Sequence, residues 1–76
     1  MGQWVTSEQI RAARALLRWD QKDLAKASGV SLPAIKRIEA MLGSVRAHAR
    51  TAEAIRAAFA AQGVEFIDEQ GVTKRP

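Results

Sequence analysis

The stretch from Gln21 to Ala40, Q-K-D-L-A-K-A-S-G-V-S-L-P-A-I-K-R-I-E-A, constrains this chain more than any other. Its apolar residues recur at helical spacing on both sides of Gly29. Two helices that cross steeply through a turn of three or four residues need a small side chain where they touch, and Ala25 supplies it. The turn needs a residue that takes a left-handed conformation without steric cost, and Gly29 is that residue. Leu24, Val30, Ile35 and Ile38 then fall where they close the wedge between the helices. The first of these helices starts at Asp20, whose carboxylate caps it and suits its positive end. The second starts after Ser31, with Pro33 in the first turn, where no backbone donor is missed. Its cap is either Ser31, whose hydroxyl then takes the N–H of Ala34, or Leu32, which precedes a proline. Ile35, Ile38 and Leu42 form its buried stripe, and Gly43 stops it, so it runs over about 32–42.

The flanking sequence is also helical. Thr6 and Gln9 have the spacing of a capping box ahead of a helix that buries Ile10, Ala13, Leu16 and Leu17. Arg11, Arg14 and Arg18 form a second stripe on it. That stripe is either a solvated face or a contact for phosphates or an acidic partner. Trp19 ends this helix and reads as core, whereas Trp4 either staples the start of the helix or sits at an interface. Ser44 to Arg50 reads as a polar loop, Thr51 as the cap of a fourth helix with Ile55 and Phe59 inward, and Gly63 as its stop. Val64-Glu65-Phe66-Ile67 is rich in β-formers, and Gly71 turns the chain toward a second short strand at Val72-Thr73-Lys74. The last residues are expected to fray.

With 76 residues the chain has room for one domain, 1–76, with a modest core. It has no cysteine, which excludes disulfides and thiolate chemistry. Its single histidine, His48, makes neither a metal site nor a triad, and no phosphate-cradling glycine loop is present. No enzyme activity, metal or cofactor is expected. No apolar run approaches the roughly 18 residues of a membrane span, and Met1 to Glu8 does not read as a signal peptide, so a soluble cytoplasmic protein is expected. The formal charge is +4, and residues 21–50 hold six basic and two acidic residues, whereas Glu65, Asp68 and Glu69 make the end more acidic. A basic centre of this kind points to a polyanion, nucleic acid first.

The residues quoted so far carry a resemblance. A-A-R-A-L-L-R-W-D-Q-K-D-L-A at 12–25, G-V-S-L-P-A-I-K-R-I-E at 29–39 and I-R-A-A-F-A-A-Q-G-V-E-F-I-D-E at 55–69 resemble the lambda-repressor-like, or XRE-type, helix-turn-helix family of bacterial regulators. The resemblance implies an all-α fold, a compact bundle of about five helices, here with a short C-terminal β-strand or hairpin. It implies a helix-turn-helix at 21–40 whose first helix lies over the DNA backbone and whose second enters the major groove. By position, Gln21 is then a phosphate contact, and Ser31, Leu32, Pro33, Lys36 and Arg37 are the exposed positions of the recognition helix. Leu32 and Pro33 stand where many members carry a polar base reader; they touch a thymine methyl but donate to no base edge. Asp20 replaces a more usual Ser and puts a negative charge near the phosphate path.

Arg46, His48 and Arg50 follow the recognition helix and read as phosphate contacts. The expected partner is a palindromic double-stranded DNA operator bound by a homodimer, through the end of the fourth helix and Val64 to Ile67 within a C-terminal segment at 64–74, where a lone short strand leaves a free edge; the alternative is that Phe66 only folds back onto its own helices and leaves a monomer. The expected role is a repressor or autoregulator, with no small-molecule effector. The competing reading is a protein-interaction module, an antitoxin or antiactivator, supported by the poor base-reading capacity of Leu32 and Pro33.

Overall fold

The computed structural model describes residues 5–41, 44–45, 49–67 and 71–75, with backbone alone for 44–45. In chain order the elements are β1 (Val5–Thr6), α1 (Ser7–Leu17), α2 (Gln21–Ser28), α3 (Leu32–Ala40), β2 (Ser44–Val45), α4 (Ala49–Ala60), β3 (Val64–Phe66) and β4 (Val72–Lys74). The expectation of a mostly helical bundle with a short C-terminal strand or hairpin holds, the C-terminal element being a hairpin, with four helices among the described residues where about five were expected. None of them is long and apolar enough to cross a membrane.

The first three helices begin where side chains satisfy the first unpaired N–H groups. Thr6 Oγ1 accepts from the Gln9 N–H at 2.9 Å, and Gln9 Oε1 accepts from the Thr6 N–H at 3.1 Å, closing the expected capping box. Asp20 and Asp23 form a second box, each carboxylate accepting the other's N–H at 2.9 Å. Ser31, rather than Leu32, caps α3, its hydroxyl accepting from the Ala34 N–H at 3.3 Å. The helices end on left-handed residues where sequence allows: Gly29 after α2 at φ 77° and Gly63 beyond α4 at φ 82°. α1 ends instead on Arg18, a non-glycine at φ 57°. The Arg18 N–H bonds back to Ala15 and the Trp19 N–H to Arg14, so two end carbonyls are satisfied despite the strained residue.

Three expectations about the middle of the chain are corrected. α3 stops at Ala40, and Met41 leaves it in an extended conformation; Leu42 and Gly43, expected as last buried residue and stop, lie outside the described residues. The physical reason is a strand pairing: β2 runs antiparallel to β1, Val5 opposite Val45 and Thr6 opposite Ser44, so part of the supposed loop is a strand. Thr51 does not cap α4, which already runs from Ala49 through two good helix formers, Ala49 and Arg50.

The core is centred on Phe59, with Ile10, Leu24, Ile35, Ile55, Val5 and Val64 also closed to solvent. Trp19 stacks on Phe59 with ring centroids 5.6 Å apart, and Phe66 tilts against it at 6.0 Å, so Trp19 is part of the core's rim, as expected. Leu16, expected inward, is 44% exposed. β3 is not a lone strand: it pairs with β4, Phe66 opposite Val72 and Val64 opposite Lys74, and the Arg75 N–H continues the ladder to the Gly63 carbonyl at 2.8 Å. Arg75 is therefore not frayed. The hairpin is fastened to α1 by Gln9, whose buried amide donates to the Gly71 carbonyl at 3.0 Å. Trp4 lies outside the described residues.

Candidate nucleic-acid interface

α3 shows how sequence sets a face. Residues in a helix advance by about 100° each. Ile35, Ile38 and Glu39 are buried together on one side. Pro33, Arg37 and Ala40 share the opposite stripe and are exposed, and Lys36 is exposed on the flank it shares with half-buried Leu32. Ala34 lies on the other flank, half-buried. Lys36 and Arg37 form no hydrogen bond or ion pair with a described residue, so both cations are free to meet a ligand. Ser31 is exposed at the start of the same helix.

What fixes that face outward is a polar cluster on the buried side. Glu39 is only 5% exposed. Arg14 meets it side-on, Nε to Oε2 at 2.8 Å and Nη2 to Oε1 at 2.7 Å, and its Nη1 donates to the Trp19 carbonyl at 3.0 Å. Gln21 adds a bond from Nε2 to Glu39 Oε1 at 3.2 Å. Arg11 Nη1 donates to the Glu39 main-chain carbonyl at 2.6 Å, satisfying an acceptor that the end of α3 leaves open. One carboxylate thus ties α1, the α1–α2 connection and α2 to α3. A buried charge is tolerated only when paired and hydrogen-bonded, and this one is paired on both oxygens.

The arginine stripe of α1 is therefore neither solvated throughout nor spare for a partner: Arg11 and Arg14 are held by α3. Sequence reasoning passed over Glu39. Its signal was position, since Glu39 follows Ile38 and stands four residues after Ile35, squarely on the stripe that must be buried. A carboxylate there requires a cation from the neighbouring helix.

Gln21 opens α2 half-buried, with one amide hydrogen given to Glu39 and the other unassigned. Arg50 is exposed in the first turn of α4. Arg46 and His48 lie outside the described residues. Asp20 is exposed, and its carboxyl is held below its ordinary value, first by the Asp23 N–H it accepts; partial loss of hydration opposes this, and the N–H and charge of Lys22 reinforce it.

Leu32, Pro33, Lys36 and Arg37 are thus gathered on one helix with Ser31 at its cap, and Arg50 lies beside the turn before it: Ser28, Ser31, Ala34, Arg50, Thr51 and Ala54 line one groove. A helix-turn-helix family model matches residues 10–60, more than half of the chain. No curated protein and no solved structure gives a significant match.

Proposed function

The chain belongs to the helix-turn-helix family of the XRE, or lambda-repressor-like, type, and from that membership we propose that it is a sequence-specific transcriptional regulator, acting as a repressor or autoregulator. DNA binding and the absence of catalysis are properties of that family. The finer reading is that α3 enters the major groove with Arg37 and Lys36 as the hydrogen-bonding side chains, and Leu32 and Pro33 as apolar contacts to thymine methyl groups. Ser31, Gln21, Arg50, Arg46 and His48 contact the backbone and set the register. The observation that carries this reading is the unengaged Pro33–Arg37–Ala40 stripe, with Lys36 beside it, on a helix whose other side is locked by Glu39.

The whole chain, 1–76, is proposed to act as one domain and to bind as a homodimer on a palindromic operator, since one small domain reading a few base pairs binds weakly and two half-sites about 34–36 Å apart remedy this. The C-terminal hairpin is the proposed interface. Ile67 projects from it 63% exposed, while Val64 and Phe66 turn inward to the core. Each hairpin strand has a partner on one side only among the described residues.

In vitro selection from random duplexes tests the reading directly. Recovery of a palindromic consensus is expected, whereas recovery of unselected sequence would favour the protein-interaction alternative. Sedimentation of the wild type and of Ile67→Lys tests the interface; a wild type that stays monomeric at tens of micromolar and binds half-sites as tightly as paired ones would sink the dimer.

A further inference from the structure

A groove of about 210 Å³ lies between α4 and the hairpin, lined by Arg56 and Ala60 of the helix and by Val64, Glu65 and Phe66 of β3. Successive side chains of a strand point to opposite faces. A groove that reaches three successive residues of β3 and none of β4 therefore runs along the edge of β3 that faces away from β4. The ladder shows what that edge holds. The Ile67 N–H bonds to the Gly71 carbonyl at 2.9 Å, and the Arg75 N–H to the Gly63 carbonyl at 2.8 Å. In an antiparallel pair, residues that exchange bonds with the partner strand alternate with residues that do not. Gly63, Glu65 and Ile67 thus turn their main-chain groups toward β4. Val64 and Phe66 turn theirs outward, where no described residue takes them. An unpaired strand edge of this kind is a template for another extended chain.

β3 runs back along the last turn of α4. The Gly63 N–H bonds to the Ala60 carbonyl at 2.9 Å, and the Arg56 guanidinium lies 5.5 Å from the centre of the Phe66 ring. One helical turn, from Ala60 back to Arg56, rises about 6 Å, and two residues of a strand span about 6.7 Å. Alternate side chains of a strand laid on this edge therefore meet Ala60 and Arg56 in turn. The methyl group of Ala60 suits an apolar side chain, and the Arg56 guanidinium has donors for a carboxylate besides the face it sets on Phe66. A second copy of β3 fits poorly. The self-pairing that uses Val64 and Phe66 of both copies sets Glu65 against Glu65 of the second copy, at the close spacing of a non-hydrogen-bonded pair, where like charges destabilise. Ile67, the contact proposed for the homodimer, is not part of the groove.

We propose that the outer edge of β3 is a peptide-docking site, where an extended segment of another protein adds a third strand to the hairpin. The segment bonds to the Val64 and Phe66 main chain and sets an apolar side chain on Ala60 and a carboxylate, two residues away, on Arg56. Main-chain bonds supply the affinity, and Ala60 and Arg56 supply the selection. The site is separate from α3 and does not depend on the DNA-binding reading.

The probe is a library of random heptapeptides displayed on phage and panned against the full chain, followed by titration of synthetic peptides. The selected peptides should share an apolar and an acidic residue two positions apart. N-methylation should weaken binding about tenfold at alternate peptide residues and little at those between, because only every second residue bonds to the edge. Ala60→Lys fills the groove and should abolish binding, whereas Ala57→Lys makes the same charge change on an exposed residue outside it and should leave binding intact. Arg56→Gln should remove a preference of about tenfold for the acidic residue and leave the alternation unchanged. Circular dichroism shows whether each variant is folded; if Ala60→Lys or Arg56→Gln is not, the N-methylated series on the wild type decides alone. No enrichment of a shared pattern, equal sensitivity to N-methylation at every position, or equal losses in Ala57→Lys and Ala60→Lys would overturn the site. So would a wild-type dimer that Ala60→Lys dissociates and Ile67→Lys does not, because the edge would then belong to a second copy.

Discussion

Removing Glu39 should do more damage to this protein than removing any other acidic side chain among the described residues. The carboxylate is 4% exposed and its partner Arg14 is 18% exposed, so the pair is largely withdrawn from water. Deleting one member of a buried pair costs about 3–5 kcal/mol, because the other is left uncompensated. In Glu39→Ala the stranded group is Arg14, which keeps its bond to the Trp19 carbonyl and has some access to solvent, so the lower figure, about 3 kcal/mol, applies. In Arg14→Met the stranded group is the more deeply buried carboxylate, with only the Gln21 amide to meet it, and the loss should lie at the upper figure, about 5 kcal/mol. A domain of this length has a total stability of about 4–11 kcal/mol at the usual 0.05–0.15 kcal/mol per residue. Either change should therefore consume a large share of it, and Glu39→Ala should lower the thermal midpoint by about 12–24 °C, at 4–8 °C per kcal/mol. The double variant Arg14→Met, Glu39→Leu strands no charge, only the Trp19 carbonyl and the half-buried Gln21 amide, and should recover to within about 2 kcal/mol of wild type. Thermal and urea unfolding of the four proteins measures all of this. Single variants that each lose less than about 1 kcal/mol, with a double variant equal to their sum, would mean that the pair behaves as a solvated surface contact and that Glu39 does not anchor the recognition helix.

The remaining expectations concern single positions. Arg18 is the one non-glycine at positive φ among the described residues, so Arg18→Gly should stabilise by about 1 kcal/mol and raise the midpoint, and an unchanged midpoint would remove the claim of strain at that cap. Gly29→Ala meets no atom within 4 Å, so its cost of about 1–2 kcal/mol should come from backbone strain alone, with no change in the denaturant slope. Asp20 has a depressed folded-state value, so its contribution is present above its ordinary value of 3.8 and is lost as pH falls through the lower folded value. Asp20→Asn, which still caps, should flatten the acid limb of the stability profile below about pH 4 and tighten DNA binding on every duplex; an unchanged acid limb would contradict the assignment. Arg37→Ala should cost about 1–3 kcal/mol on the preferred duplex and relax one position of it, and full affinity with full discrimination would show that Arg37 reads no base.

What could be read from the sequence divides by the range of the interaction that decides it. The capping box at Thr6, the cap at Asp20, the turn at Gly29 and the strands at Val64 and Val72 depend on residues within a few positions of one another, and local spacing reveals them. The end of α3 is not local: it depends on β1, some forty residues earlier in the chain, which pairs with Ser44–Val45 and draws the backbone out of helix at Met41. Two-residue strands have no periodicity to detect. The same distance hid the anchor of the site. Glu39 falls on the buried stripe when α3 is read alone, but Arg14 looks like any exposed charge of α1, and only the crossing of α1 over α3 makes them one buried pair. The exposed stripe of the recognition helix follows from the same fact in reverse. Glu39 on the buried side determines which way α3 is rolled, and that roll is what leaves Arg37, with Pro33 and Ala40, facing outward. The residue that best predicts which side chains α3 turns outward is therefore one on its buried side.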